Sequence, residues 1–143
     1  MKKIIFALLI GCITFLACNS IKVPIAHANS LEGTWELNYL SGPRIAFEGL
    51  FPEKKPTIIF ELIENRVSGN SSCNNYSGKL NLDGNKINFK TPMAMTRMMC
   101  LDSQGETTYM ATLDKVDTYA ISSDGKKLTF FMGDVELMRF DKK

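Results

Sequence analysis

Soft sulfur donors crowd one short segment. Residues 93–100, MAMTRMMC, place Met93, Met95, Met98, Met99 and Cys100 within eight positions, with Arg97 among them. Thioethers and thiolates suit Cu(I), so these five residues are a candidate ligand set for a soft metal. Two features weigh against it. Cys100 has a partner for oxidation in Cys73, and methionine also fills irregular gaps in a core strand. The expectation is therefore a packed strand, with no metal and no other cofactor assigned. Arg97 carries a charge between apolar neighbours, and a buried guanidinium without an acceptor is costly. Either it sits at an exposed position with its stem packed down, or it is a structural arginine that pairs beside the cysteine segment and orders it.

Other catalytic chemistry is thinly supported. The single histidine, His27, precedes the domain, which excludes Ser–His and Cys–His nucleophilic schemes within it. Two cysteines without histidine make a poor zinc set. Glu61, Glu64, Asp83, Asp102 and Glu106 fall at polar strand positions, turns or a helix start. They read as solvated or capping carboxylates rather than an acid–base pair. The expectation is a protein that is not an enzyme. The best binding candidate is the loop GNSSCNNYSG, with Asn70, Ser72, Asn74, Asn75 and Tyr76. Such a loop can hydrogen-bond a ligand or partner, or close on itself as a turn, because Asn and Ser bond their own backbone well.

The N-terminus sets the compartment. Lys2 and Lys3 precede the apolar run Ile4–Leu16, a secretory signal too short for a comfortable membrane span. Three endings compete. FLAC, ending at Cys18, resembles a lipobox whose thiol would be lipidated. LIGC, ending at Cys12, fits that pattern even better but leaves a very short apolar region. AHA, ending at Ala28, suits ordinary signal peptidase but lies well past the run. Cys18 is the favoured ending. Residues 1–17 are then a lipoprotein signal peptide, 18–30 a lipidated tether and 31–143 the domain. A tether of that length spans roughly 20 Å, enough to clear lipid headgroups. The expected address is the periplasmic face of the outer membrane or the cell surface, reached through the lipid anchor. Asn19 after the cysteine permits outer-membrane sorting in a host like the enteric bacteria.

Loss of Lys2 and Lys3 with the signal takes the 17 basic residues to 15, against 15 acidic ones. A neutral chain without a basic run argues against nucleic acid as a partner. The expected partners are the membrane and an envelope protein. Cys12 and Cys18 belong to the signal region, so the domain keeps Cys73 and Cys100. In an exported domain the pair is best read as one disulfide rather than two reactive thiols.

These residues must be positioned by strands. Trp35, Leu37 and Tyr39 alternate with Thr34, Glu36 and Asn38 in GTWELNYL, the period of a half-wet strand. A Pro- and Gly-rich connection follows, then the β-rich run Thr57–Ile63 and VSGN. Leu80 to Phe89 alternates around Asp83-Gly84, a hairpin signal. TYAIS, KLTFFM and VELMRF are separated by Asp124-Gly125 and Gly133-Asp134 and read as a meander. One helix, at about 102–115, is signalled by Tyr109, Met110, Leu113 and Val116. Ser103 and Glu106 match a capping box, and Asp102 is an alternative cap. Gly105 weakens the first turn.

The segments LEGTWEL, VSGNSSCNNYSGKL and MAMTRMMC, in this order and spacing, resemble the META domain family over about 105 residues. That family includes a heat-shock lipoprotein of enteric bacteria. The resemblance implies an α+β fold, mainly antiparallel β, as a compact sheet or barrel with one α-helix. It carries no catalytic residues over. It implies a role in stress or drug (novobiocin-type) tolerance, and the expected lipid anchor makes binding at the membrane surface the expected mode. The alternatives are a periplasmic inhibitor or chaperone-like partner of an envelope enzyme and, third, a Cu(I)-handling Met/Cys protein.

Overall fold

A computed structural model describes residues 31–100 and 103–143. The expected signal peptide and tether, with Cys12, Cys18 and Ala28, and the alternative cap Asp102 lie outside the described residues. In chain order the elements are β1 (Gly33–Leu40), α1 (Phe47–Leu50), β2 (Thr57–Glu61), β3 (Arg66–Asn70), β4 (Asn75–Lys79) and β5 (Asn81–Asp83). Then come β6 (Lys86–Asn88), β7 (Ala94–Met95), α2 (Gln104–Leu113), β8 (Thr118–Ile121), β9 (Lys127–Met132) and β10 (Val135–Lys142).

All ten strands join one antiparallel sheet in the order β5-β6-β8-β9-β10-β1-β2-β3-β4-β7. The sheet curls into a half-barrel, so the expected α+β, mainly antiparallel fold holds. Both edge strands are short, three residues in β5 and two in β7, and short edges offer little template for pairing with another chain. The chain reverses tightly at the expected glycines: Gly84 and Gly133 sit at φ 59° and 57°, a region costly for any residue with a Cβ.

The concave face is filled by Trp35, Phe60, Phe130 and Phe140, all fully buried. Phe130 packs edge-on against Phe60 and Phe140, with centroids 6.5 and 5.1 Å away. The Trp35 indole N–H donates to Leu31 O at 2.8 Å, so the largest side chain carries no unpaired donor inward. Tyr39 departs from the expected alternation. The β1–β10 register shifts between Leu37 and Tyr39, and the extra residue of such a bulge reverses the following side chains. Tyr39 therefore points outward and Leu40 inward.

Two expected elements are shorter than their sequence patterns. The strand from Thr57 stops at Glu61, because residues 62–65 turn, with Asn65 at φ 51°. The helix at about 102–115 is Gln104–Leu113, and Val116 is buried just beyond its end. The Pro-rich connection holds one further helical turn, α1. Gly105 is explained by packing. A Cβ there would collide with Leu50 O and stand 3.0 Å from the Phe51 ring, so the glycine lets the start of α2 lie against the end of α1.

Gly69 plays the matching part in the sheet. It pairs with Tyr76 across β3 and β4, and the tyrosine ring lies over the space a Cβ would occupy, 2.6 Å from the phenol oxygen. Overpacking of this kind costs about 1–3 kcal/mol, more where backbone is struck. Gly69→Ala also meets Thr57 O. It should therefore lower the unfolding free energy in urea by at least about 2 kcal/mol; an unchanged midpoint would show that the ring does not need this gap.

Candidate functional site

The cysteine loop is the hairpin turn between β3 and β4. Ser71 N donates to Asn74 O at 2.8 Å, leaving Ser72 and Cys73 at the tip. In an ordinary turn the return bond would run from Asn74 N to Ser71 O. Here Asn74 N donates instead to Glu106 Oε2 at 2.9 Å. Asn70 supports the turn from below. Its Oδ1 accepts from Ser72 N at 3.0 Å, and its Nδ2 donates to Asn75 Oδ1 at 2.9 Å. This local bonding holds Ser72 at φ 90°, a conformation few non-glycine residues adopt.

Glu106 reaches the loop from the first turn of α2. Its carboxylate also accepts from Ser71 Oγ at 2.5 Å and from Asn74 Nδ2 at 3.1 Å. Both oxygens are thus engaged. The capping box expected from Ser103 and Glu106 does not form: Ser103 is the N-cap residue but makes no side-chain cap bond. The carboxylate has been drawn away by the loop, where three donors converge on one charge. Partial burial pushes the Glu106 carboxyl up, but the bonds from Ser71 and Asn74 outweigh it and hold it below the ordinary carboxylate range.

Asn74 is the second half of this tie. Its Oδ1 accepts from Thr96 Oγ1 at 2.8 Å and from Met98 N at 2.7 Å. One buried side chain therefore links the β3–β4 turn, the helix and the methionine segment. Cys73 and Cys100 close the same region as a disulfide with Cα atoms 6.2 Å apart. Below it, Tyr76 and Tyr109 meet. Tyr76 OH donates to Thr57 O at 3.0 Å and lies 2.7 Å from Tyr109 OH, which is left to donate to it. Burial, with the neighbouring phenol, pushes Tyr76 well up, and burial pushes Tyr109 up. Both stay neutral donors at any physiological pH.

The five loop residues thus divide. Asn70, Asn74 and Tyr76 are buried and bonded internally, while Ser72 is half-buried and Asn75 exposed. The polar groups of the loop mostly hold the loop. Arg97 is exposed, and among the described residues it has no hydrogen bond or ion pair. The ordering role considered for Arg97 belongs to Asn74 and Glu106.

The packed methionine strand is also corrected. Only Ala94 and Met95 pair with β4. Met93 is half-buried against the core, but Met95, Met98 and Met99 are 39, 59 and 102 % exposed. After Met95 the backbone leaves the sheet to serve Asn74, and period-two patterning no longer applies. The Glu106 contacts bridge 32 to 35 residues, so no local motif announced them. The capping-box pattern pointed the carboxylate elsewhere.

A family model described as META domain matches residues 28–143. Among solved structures, the chain is similar to a protein from Burkholderia xenovorans determined by NMR. The TM-score is 0.63 at 22% identity, over 81% of this chain and 87% of that one. A second NMR structure matches with TM-score 0.55 and 22% identity, over 78% and 90% of the two chains. A DUF4847 family protein from Bacteroides vulgatus matches at 0.53 and 14%, over 79% and 94%. At these identities the likeness concerns the fold. No curated protein matches.

A carboxyl depressed in the folded state contributes stability above its unfolded pKa and loses it as pH falls through the folded value. Wild type should therefore lose stability on acidification below the ordinary carboxylate range more steeply than Glu106→Gln, as read by urea midpoints across pH; parallel curves would remove Glu106 from the account. Closing a loop with a sequence separation of 27 should be worth roughly 3–4 kcal/mol. Reductant, or the double change Cys73→Ser with Cys100→Ser, should lower the unfolding free energy by that order.

Proposed function

The chain belongs to the META domain family, and from that premise we propose a non-enzymatic envelope lipoprotein that serves stress or drug (novobiocin-type) tolerance by binding at the membrane surface. The observation that carries this reading is the inward commitment of the polar groups around the cysteine loop. Glu106 has both oxygens occupied, and Asn74 uses its donor and its acceptor. A general acid or base needs a free face toward a substrate. Buried, fully bonded groups of this kind build a rigid scaffold. The lipobox-like FLAC ending at Cys18 supports the membrane address; a lipid there would hold the domain at high local concentration beside its target.

A second reading has its own support. The segment after β7 stands outside the sheet, exposed, while Asn74 and the disulfide hold it in one shape. Presentation of an ordered, exposed segment suits a periplasmic inhibitor or chaperone-like partner of an envelope enzyme, because pre-organisation lowers the cost of binding.

Complementation tests the first reading. In a host strain lacking this chain, the wild-type gene should restore novobiocin tolerance, with an acyl group found by mass spectrometry on Cys18. A Cys18→Ser form exported through another signal should restore little. Full rescue by that soluble form, or a mature chain starting at Asn29, would overturn the anchored mechanism. Crosslinking of the same cells separates the readings: one stoichiometric enzyme partner supports the inhibitor, and diffuse capture supports a general surface role.

A further inference from the structure

We propose that the open groove between β7 and the start of α2 is a thioether site for a soft monovalent cation, Cu(I) foremost. All four methionines of the segment, Met93, Met95, Met98 and Met99, line one groove of about 630 Å³, with Arg97 and Glu106 at its walls. Methionine in a folded domain ordinarily fills core gaps. Here Met99 is fully exposed and Met98 more than half exposed, so core packing does not account for them. Their concentration in one groove is the feature that needs a role.

The backbone that carries them is fixed at several points. Met95 pairs with Tyr76 and Ala94 with Ser77. Thr96 N donates to Asn75 O at 3.0 Å, and Thr96 Oγ1 and Met98 N both donate to Asn74 Oδ1. Cys100 pins the far end through its bridge to Cys73. Met93 lies over Gly78, where a Cβ would come within 2.6 Å of its Cγ. The backbone that bears the four thioethers is thus held at these points, and binding is left to set their side-chain torsions.

The donor chemistry selects the ion. Thioether sulfur is neutral, soft and without a proton to lose, so it stays available while Cys73 and Cys100 are joined. Soft sulfur donors favour Cu(I). Hard divalent ions would need carboxylate oxygens, and both oxygens of Glu106 are already taken. Arg97, exposed in the same groove, further disfavours ions of higher charge. Cys100, considered with the methionines on sequence grounds, is not a ligand in this proposal. Binding forms no new covalent bond and moves no electrons. It does not depend on the function proposed above.

The test uses mature protein with its disulfide intact, verified by the absence of thiol reaction. Silver nitrate in chloride-free buffer serves as a redox-inert probe, and Cu(I) is titrated against a chromogenic chelator of micromolar affinity. One equivalent of each ion should be retained. Met98→Leu with Met99→Leu, both at exposed positions, should weaken binding at least tenfold with the thermal midpoint unchanged. Met132→Leu, an exposed methionine on β9 away from the groove, should bind as wild type. No retention at micromolar ion would overturn the site. So would wild-type affinity in the variant with all four groove methionines changed to leucine, or binding seen only after the disulfide is reduced.

Discussion

The domain is organised around one carboxylate. Glu106 accepts from Ser71 Oγ, Asn74 N and Asn74 Nδ2, and so fastens the start of α2 to the turn between β3 and β4. Bonds to an ionised acceptor are about twice as strong as neutral ones. The group is only partly buried, which keeps its desolvation cost below that of a fully buried ion. The same asparagine then passes the restraint to Thr96 and Met98. Helix, turn and edge segment therefore cannot shift independently. The disulfide lies within this network: Asn74 Nδ2 is 3.6 Å from Cys73 Sγ and 3.8 Å from Cys100 Sγ. A covalent bridge and a charge-assisted network thus restrain the same short stretch of chain.

The two glycines and two tyrosines beneath the network follow from the same demand for closeness. For α2 to deliver Glu106, its first turn must touch α1, and Gly105 removes the Cβ that would prevent it. For Tyr109 on that helix to reach Tyr76 in the sheet, the Tyr76 ring must lie flat across β3, and Gly69 provides the room. The paired phenols end on Thr57 O, so buried donors are satisfied without water. Gly105 looked like a defect in a helix start when judged by propensity. In the packed structure it is the condition for the helix being where it is.

How much of this was legible in the sequence depended on the range of the forces. Asp83-Gly84, Asp124-Gly125 and Gly133-Asp134 act through local backbone sterics, and the turns sit where those pairs stand. Tyr109 and Leu113 recur with the helical period and are buried. Reading the chain as exported pairs Cys73 with Cys100, because cysteines in such compartments rarely stay reduced, and the two are joined. The failures are nonlocal. Tyr39 follows the period of its strand, but a bulge against β10 reverses it. Glu106 satisfies a local capping pattern, but partners more than thirty residues away hold it more strongly. Asn70, Asn74 and Tyr76 read as binding residues in the sequence, but their bonds run inward and shape the loop.

The methionine segment shows how an edge position changes the meaning of a residue. In a central strand, alternating methionines would be core. β7 pairs on one side only and for two residues, so it can bury little. Its backbone beyond Met95 is claimed by Asn74, which turns the remaining side chains outward whatever their hydrophobicity. Exposed apolar side chains at a sheet edge ordinarily invite association with other chains. Methionine is the apolar residue best suited to that exposed place, because its flexible thioether adapts to irregular contacts and offers a soft donor that oxidation of the neighbouring cysteines does not remove. The constraint that builds the scaffold, an asparagine committed inward, is thus also what leaves the sulfur atoms facing solvent.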